Sequence, residues 1–215
     1  MKSNILIVED HELTRFGLKT TFDGVEFINK IFEAGSAEDA FDILKKESIN
    51  LVIMDVGLPG MNGIDASKKI KNENNDIKII MLTSHNDESA VLNSLKAGAN
   101  AYCSKEINLQ RLVQVVNSVL DGASWFDPSI SQVVLKAATS ADSTQPAPKQ
   151  NNYNLTSREL QILKLITEGY SNTEIAKELN VSINTTKAHV ASILQKLVVD
   201  DRLQAALKAL KEKVV

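Results

Sequence analysis

The stretch NLVIMDVGLPGMNG, residues 50–63, decides how the chain is read. Leu51 to Met54 are apolar without a break, and Gly57, Pro59, Gly60, Asn62 and Gly63 crowd the residues that follow. An apolar run bounded by turn residues predicts a short strand buried on both faces. Asp55 then stands at its carboxyl end, where open α/β sheets present their ligand sites. An aspartate there is either a turn or capping residue or a functional carboxylate. The rest of the chain chooses between the two.

A length of 215 residues allows one or two domains. With 43% apolar and 24% charged residues, the composition is that of a globular chain able to bury a core. A single cysteine, Cys103, excludes an internal disulfide framework and suits a reducing compartment. The apolar run Ile5–Val8 is too short for a signal peptide, and no run of about 18 apolar residues follows. A cytoplasmic protein without a membrane partner is expected. The net charge of −3 is unevenly spread: residues 1–137 hold 14 basic and 19 acidic residues (−5), and residues 151–215 hold 9 and 7 (+2). The second part alone has a balance suited to phosphate contacts, and its bias is mild.

Around residues 50–63, apolar runs alternate with helical spacing. NILIV (4–8) ends in Glu9-Asp10, and residues 11–22 show helical spacing through Leu13, Phe16, Gly17, Thr20 and Thr21. Residues 27–34 form a second strand, and Ser36 caps a helix with Ala40, Ile43 and Leu44 on its apolar face. After the third strand come a helix over 63–72, the strand IKIIMLT (77–83), and a helix over 86–97 stopped by Gly98. A strand over 99–103 and a helix over 108–120, stopped by Gly122, complete the series. This alternation predicts an α/β domain over residues 1–122, a five-stranded doubly wound parallel sheet.

In such a sheet all strand carboxyl ends share one edge, which gathers Glu9, Asp10, Asp55, Thr83 and Lys105. Three neighbouring carboxylates repel unless something positive sits among them. Oxygen ligands suit Mg²⁺, and the Cys/His content is wrong for zinc. A lysine and a threonine hydroxyl beside a metal-bound carboxylate form a receptor for phosphoryl oxygens. Singly, Glu9-Asp10 could cap a helix and Thr83 could simply end a strand; their joint placement favours the functional reading of Asp55.

IVEDHE, MDVGLPGMNG, MLTSH and AGANAYCSKE resemble the signature segments of response-regulator receiver domains, which are flavodoxin-like, over residues 1 to about 122. The resemblance implies that Asp55 is the phosphoacceptor, attacking the phosphohistidine of a sensor histidine kinase as an aspartyl nucleophile. It implies Mg²⁺ bound by Asp10 and Asp55, by Glu9 through water and by the Gly57 carbonyl. It makes Lys105 the partner of the acyl phosphate, Thr83 the switch hydroxyl and Tyr102 the aromatic that follows inward. No enzyme activity is expected beyond self-phosphorylation and autodephosphorylation at Asp55. The rival reading, an aspartyl-phosphate phosphatase, lacks a second aspartate at position 57 and a cap domain. Two departures stand out. Glu106 replaces a common proline, so the loop after Lys105 is either trans or strained. Gly57 and His85 occupy positions that tune dephosphorylation in receivers.

Trp125-Phe126-Asp127-Pro128 leads to a short helical stretch, 130–136, and then to ATSADSTQPAPKQNN (138–152), too poor in large apolar residues for a core. Residues 123–152 therefore read as a short helix and a linker. Residues 153–215 predict four helices. Thr156-x-x-Glu159 and Ser171-x-x-Glu174 are capping boxes, Asn180 is a left-handed stop, and Ser182 caps the next helix. Two short helices joined at 179–182 form a helix-turn-helix skeleton. By angle, Ile183, Val190, Ile193, Leu194 and Leu197 make the core side of the helix over 183–197. Asn184, Thr185, Ala188, Ser192 and Gln195 point away, flanked by Lys187, His189 and Ala191.

This segment resembles the DNA-binding domain of the LuxR/NarL family, an all-α four-helix helix-turn-helix. The resemblance makes 183–197 the recognition helix for double-stranded promoter DNA, with Asn184, Thr185, Lys187, Ala188, His189 and Ala191 as candidate contacts. It makes the stripe Leu203, Leu207 and Leu210 a dimerisation surface. It implies a phosphorylation-dependent transcriptional regulator, a homodimer when phosphorylated, bound to an inverted repeat. Intradomain packing is the other reading of the leucine stripe, and a protein-binding adaptor the other reading of the domain. Val198-Val199 replaces a usual glycine-valine, so a β-branched residue must fill that turn.

Overall fold

The computed structural model describes residues 2–84, 88–127, 153–212 and 214–215. His85, the stretch 130–136 and the linker 138–152 lie outside the described residues. The chain divides into two compact units.

The first unit is a parallel sheet in the order β2-β1-β3-β4-β5-β6. Its strands are β1 (Ser3–Val8), β2 (Ile28–Ala34), β3 (Leu51–Asp55), β4 (Lys78–Thr83), β5 (Ala101–Ser104) and β6 (Trp125–Phe126). The helices between them are α1 (Glu12–Phe22), α2 (Ala37–Lys46), α3 (Gly63–Glu73), α4 (Glu88–Lys96) and α5 (Leu109–Leu120). Strand order reverses at β1, so the β1 and β3 ends flank the crevice where such sheets bind ligands. The sheet has one strand more than the expected five. Trp125 and Phe126 pair with Ala101 and Tyr102, a two-residue addition too short to stand out from a loop in the sequence.

All five residues of β3 are buried, as a strand covered on both faces requires. Ile5, Ile7, Ile53, Ile80 and Leu82 turn to one face, against Leu18 and Phe22 of α1 and Leu112, Val115, Val116 and Val119 of α5. On the other face α3 brings Ser67 Oγ to 3.2 Å from Met81 Sδ. In α1 the expected face is corrected. Leu18 and Phe22 are buried, whereas Leu13 and Phe16 are exposed (77% and 65%). The spacing was helical, but the sheet takes the stripe one step round. Ser36 and Asn62 cap α2 and α3 through Asp39 N–H and Asp65 N–H. Gly98 and Gly122 take positive φ at the ends of α4 and α5. Among the described residues no peptide bond is cis, so Lys105–Glu106 is trans.

The second unit holds α6 (Ser157–Thr167), α7 (Asn172–Glu178), α8 (Ile183–Leu197) and α9 (Arg202–Lys211). Both expected capping boxes form, at Thr156/Glu159 and Ser171/Glu174. Asn180 is left-handed at φ 58, and Ser182 caps α8 through Thr185 N–H. The core joins Ile162, Leu163, Ile166, Ile175, Ile193 and Leu197 with Ala205 and Ala209 of α9.

Val198 closes α8 in the left-handed region, φ 53 and ψ 58, where a Cβ costs about 1–2 kcal/mol. Its side chain is 82% exposed, so little packing offsets that strain. Val198→Gly is expected to raise stability by about 1 kcal/mol, less the entropy glycine adds to the unfolded chain. Chemical denaturation of the two proteins measures the difference.

Candidate functional site

The carboxyl edge of the sheet brings together the residues singled out in the first unit. Glu9 and Asp10 follow β1, Asp55 ends β3, Thr83 ends β4 and Lys105 follows β5. One carboxylate oxygen from each of Glu9, Asp10 and Asp55 lies within 4.8 Å of the others. Glu9 (1% exposed) and Asp55 (4%) are buried, and Asp10 is exposed. Lys105 Nζ bridges the two buried acids, 2.8 Å from Glu9 Oε2 and 2.9 Å from Asp55 Oδ2. The Lys105 N–H donates to the Thr83 carbonyl at 2.7 Å, which ties the lysine loop to the end of β4. These side chains line one cleft of about 640 Å³ with His11, Thr14, Val56, Gly57, Ser84 and Ala90.

Burial is the largest influence on Glu9 and raises its carboxyl above the ordinary value; Asp55 adds to this, and Lys105 and the His11 N–H oppose it. Burial would lower the Lys105 ammonium, but its bonds to Glu9 and Asp55 prevail and raise it. One ammonium thus serves two carboxylates that repel each other. The donor set is all oxygen, three carboxylates with one ammonium among them, and it fits a hard divalent cation.

Space above Asp55 is set by glycine. Gly57 N–H donates to Asp55 Oδ1 at 3.1 Å, and a Cβ on Gly57 would sit 3.8 Å from both carboxylate oxygens. The cleft is open there because this residue has no side chain. Gly63 acts from behind. A Cβ on it would fall 1.9 Å from the Asp55 carbonyl oxygen and 3.0 Å from Met54 Cγ, so α3 can start this close to the strand end only at glycine. Tyr102, on β5, is fully buried. It lies inside the sheet next to β6, not on an edge strand.

In the second unit α8 exposes Asn184, Thr185, Lys187, Ala188, Ala191 and Gln195, with His189 half-buried. This stripe is small and polar, as close approach to a major groove requires. Two angular expectations are corrected. Ile183, placed in the core from the sequence, is 40% exposed at the first turn, and Thr186 is fully buried instead. Its hydroxyl donates to the Ser182 carbonyl at 3.2 Å, which lets a threonine sit inside. Ser192, placed on the open face, turns inward and donates to Glu159 Oε1 at 2.7 Å. Glu159 Oε2 accepts from Lys196 Nζ at 2.7 Å and from Thr156 N–H at 2.7 Å. The capping residue of α6 therefore also grips α8 at two positions one turn apart, which the capping-box pattern alone does not signal. Leu203 is buried, Leu207 half-buried and Leu210 exposed (45%). The leucine stripe of α9 is thus open at its C-terminal end, while Ala205 and Ala209 face the core.

Residues 5–117 match the response regulator receiver domain family, and residues 153–209 match the bacterial regulatory proteins of the luxR family. The chain belongs to the response regulators. It is similar to the transcriptional regulatory protein DegU of Brevibacillus brevis, 32% identical over 98% of this chain and 94% of that one. It is also similar to the transcriptional regulatory protein LiaR of Bacillus subtilis, 35% identical over 95% of each. Among solved structures it resembles RcsB in a structure of two dimers bound to two parallel DNAs, with a TM-score of 0.59, 25% identity, and coverage of 97% of this chain and 99% of that one. Receivers bind Mg²⁺ through acidic residues, and this response regulator has the acidic cluster to do so.

Two expected outcomes follow from this geometry. Gly63→Ala must push α3 or the β3 end aside, and should lower the stability of the response regulator by roughly 3 kcal/mol, the upper range for overpacking, in urea melts followed by Trp125 fluorescence. In the DNA-binding unit, burial alone would raise the Glu159 carboxyl, but the Lys196 ammonium, the Ser192 hydroxyl and Thr156 outweigh it and hold it at about 2. A depressed carboxyl stabilises the fold above its ordinary value and loses that contribution as pH falls toward the folded value. Amide signals from α6 to α9 should therefore report falling stability from pH about 4.5 toward 2, with a shallower fall in Lys196→Met.

Proposed function

We propose that this transcriptional regulator is controlled by phosphorylation of Asp55. The observation that carries the reading is the Asp55 carboxylate at the floor of an open cleft, 2.9 Å from Lys105 Nζ and with no side chain on Gly57 to cover it. A carboxylate oxygen of Asp55 attacks the phosphorus of a phosphohistidine on a sensor histidine kinase. The P–N bond breaks, and the imidazole leaves with the bonding pair and takes up a proton. Asp10 and Asp55, the Gly57 carbonyl, and Glu9 through water would hold Mg²⁺, which when bound neutralises charge on the transferring phosphoryl oxygens. Lys105 stays on the acyl phosphate as its ion-pair partner, and the Thr83 hydroxyl donates to a phosphoryl oxygen.

The phosphoryl group adds about −1.5 to −2 charge at this edge. It draws in Lys105 and Thr83 together, and both are linked through the Thr83 carbonyl to one loop. Tyr102, buried on β5, shifts with Thr83. The α4–β5–α5 face changes with these residues and favours a homodimer, a surface biased by one local charge. Two copies then set two α8 helices on an inverted repeat in promoter DNA, with the exposed end of the α9 stripe, Leu207 and Leu210, in the contact between them. Asn184, Thr185, Lys187, Ala188 and Ala191 meet the groove, and His189 its border. The protein acts in the cytoplasm, as a regulator whose only chemistry is to gain and lose the phosphoryl group at Asp55. No helix among the described residues is long and apolar enough to cross a membrane.

Incubation with acetyl phosphate and Mg²⁺ should attach one phosphoryl group to the full chain and none to Asp55→Ala. Gel shifts on a promoter fragment should then show tighter binding by the treated wild type and no response in the variant. An equal response in both proteins would sink the reading.

A further inference from the structure

We infer that Arg15 is the positioning residue that sets the affinity of the acidic edge for its divalent cation; the inference rests on the metal-assisted reading above. Pairing between β1 and β2 ends at Val8 with Ala34, and the Glu9 N–H makes the last bond of that edge, to the Ala34 carbonyl at 3.1 Å. Beyond that bond the turn carrying Glu9 and Asp10 has left the sheet. Arg15 lies one turn into α1, and its guanidinium reaches back over the turn. Arg15 Nη1 donates to the Glu9 carbonyl at 2.6 Å and to the Asp10 carbonyl at 3.4 Å. Two of the three residues whose carboxylates enter the cleft are thus held by their main-chain oxygens from behind.

The turn needs such a hold. Glu9, Asp10 and Asp55 are close enough to repel, and Lys105 reaches Glu9 and Asp55. The α1 N-cap, His11, makes no side-chain capping bond, although its N–H donates to Glu9 Oε1 at 3.2 Å. Charge-assisted bonds from a guanidinium are stronger than neutral ones, and one nitrogen of it, Nη1, serves both neighbouring acceptors. Arg15 is itself steadied on its far side, with Nε 4.0 Å from Glu33 Oε2, and Glu33 is also paired with Lys19. Its side chain is only 20% exposed, so water replaces these bonds poorly. Residues that orient metal ligands from outside typically change metal affinity by about 10–100-fold when removed.

The test is Mg²⁺ titration of the full chain by calorimetry for wild type, Arg15→Ala and Arg15→Lys, with thermal melts in EDTA as the measure of folding. Arg15→Ala should bind Mg²⁺ about tenfold more weakly while melting as a folded protein, and Arg15→Lys should fall between. Phosphorylation of Arg15→Ala by acetyl phosphate should be slow at limiting Mg²⁺ and return to the wild-type rate at saturating Mg²⁺, which a misfolded site would not do. Should Arg15→Ala fail to fold, Arg15→Gln carries the same test, since it keeps a neutral donor without the charge. Wild-type affinity in the variants would overturn the role of Arg15 alone. Absence of Mg²⁺ binding in the wild type would overturn the metal reading and this inference with it.

Discussion

Three carboxylates and one ammonium share the carboxyl edge of the sheet, and the surplus negative charge there is the constraint on which the receiver unit depends. Parallel strands leave no choice about where Glu9, Asp10 and Asp55 meet, because every strand ends on the same side. Two of the three acids are almost fully buried, so water screens their repulsion weakly. Lys105 answers part of it by bridging Glu9 and Asp55, while burial first, and the Asp55 charge after it, still raise the Glu9 carboxyl. Three carboxylates against one ammonium leave two negative charges uncompensated in an open cleft, the charge balance that a hard divalent cation fits.

The backbone around the cluster holds it there against that repulsion. Asp55 is fixed from below by β3, buried along its whole length, and from behind by α3, which starts in contact with its carbonyl at Gly63. The Gly57 N–H holds one oxygen of the Asp55 carboxylate. The Val56 N–H donates to the Leu82 carbonyl at 2.9 Å, extending the β3–β4 ladder one residue past the acid. Rigid strand ends and a glycine on either side give a carboxylate that cannot retreat from its neighbours.

Much of this is legible in the sequence because it depends on local chemistry. Apolar runs with acids at their ends locate the strands and the cluster, and Ser, Thr and Asn caps locate the helices. Packing direction is less legible. Helical spacing in α1 holds equally for Leu13 and Phe16 or for Leu18 and Phe22, and only the sheet decides that the second pair goes inside. In α8 an angular projection ranks residues by polarity, so it put Ile183 in and Ser192 out. It carries no knowledge of Ser182, whose carbonyl satisfies the buried Thr186 hydroxyl, or of Glu159 across the core, which accepts from Ser192. The two-residue strand β6 has no periodicity to detect. Val198 is the reverse case: the missing glycine is visible in the sequence, and the backbone takes the left-handed conformation regardless.

Glu9 and Glu159 show why burial alone does not mark a functional carboxylate. One glutamate follows a strand and the other sits in the first turn of a helix, and both are nearly inaccessible, at 1% and 4%. Their carboxyls nevertheless move in opposite directions. Glu159 accepts from Ser192, Lys196 and the Thr156 N–H, and these donors outweigh its desolvation and hold it at about 2. Glu9 receives the His11 N–H and an ammonium it must share with Asp55, and desolvation prevails. A fully answered carboxylate is structural: its free energy is already spent on joining α6 to α8. A buried carboxylate that shares its one ammonium with a neighbouring acid is the kind of perturbed group that clusters at functional sites. The acid whose charge is satisfied joins helices of the DNA-binding unit, and the acids whose charge is not satisfied gather at the open cleft of the receiver.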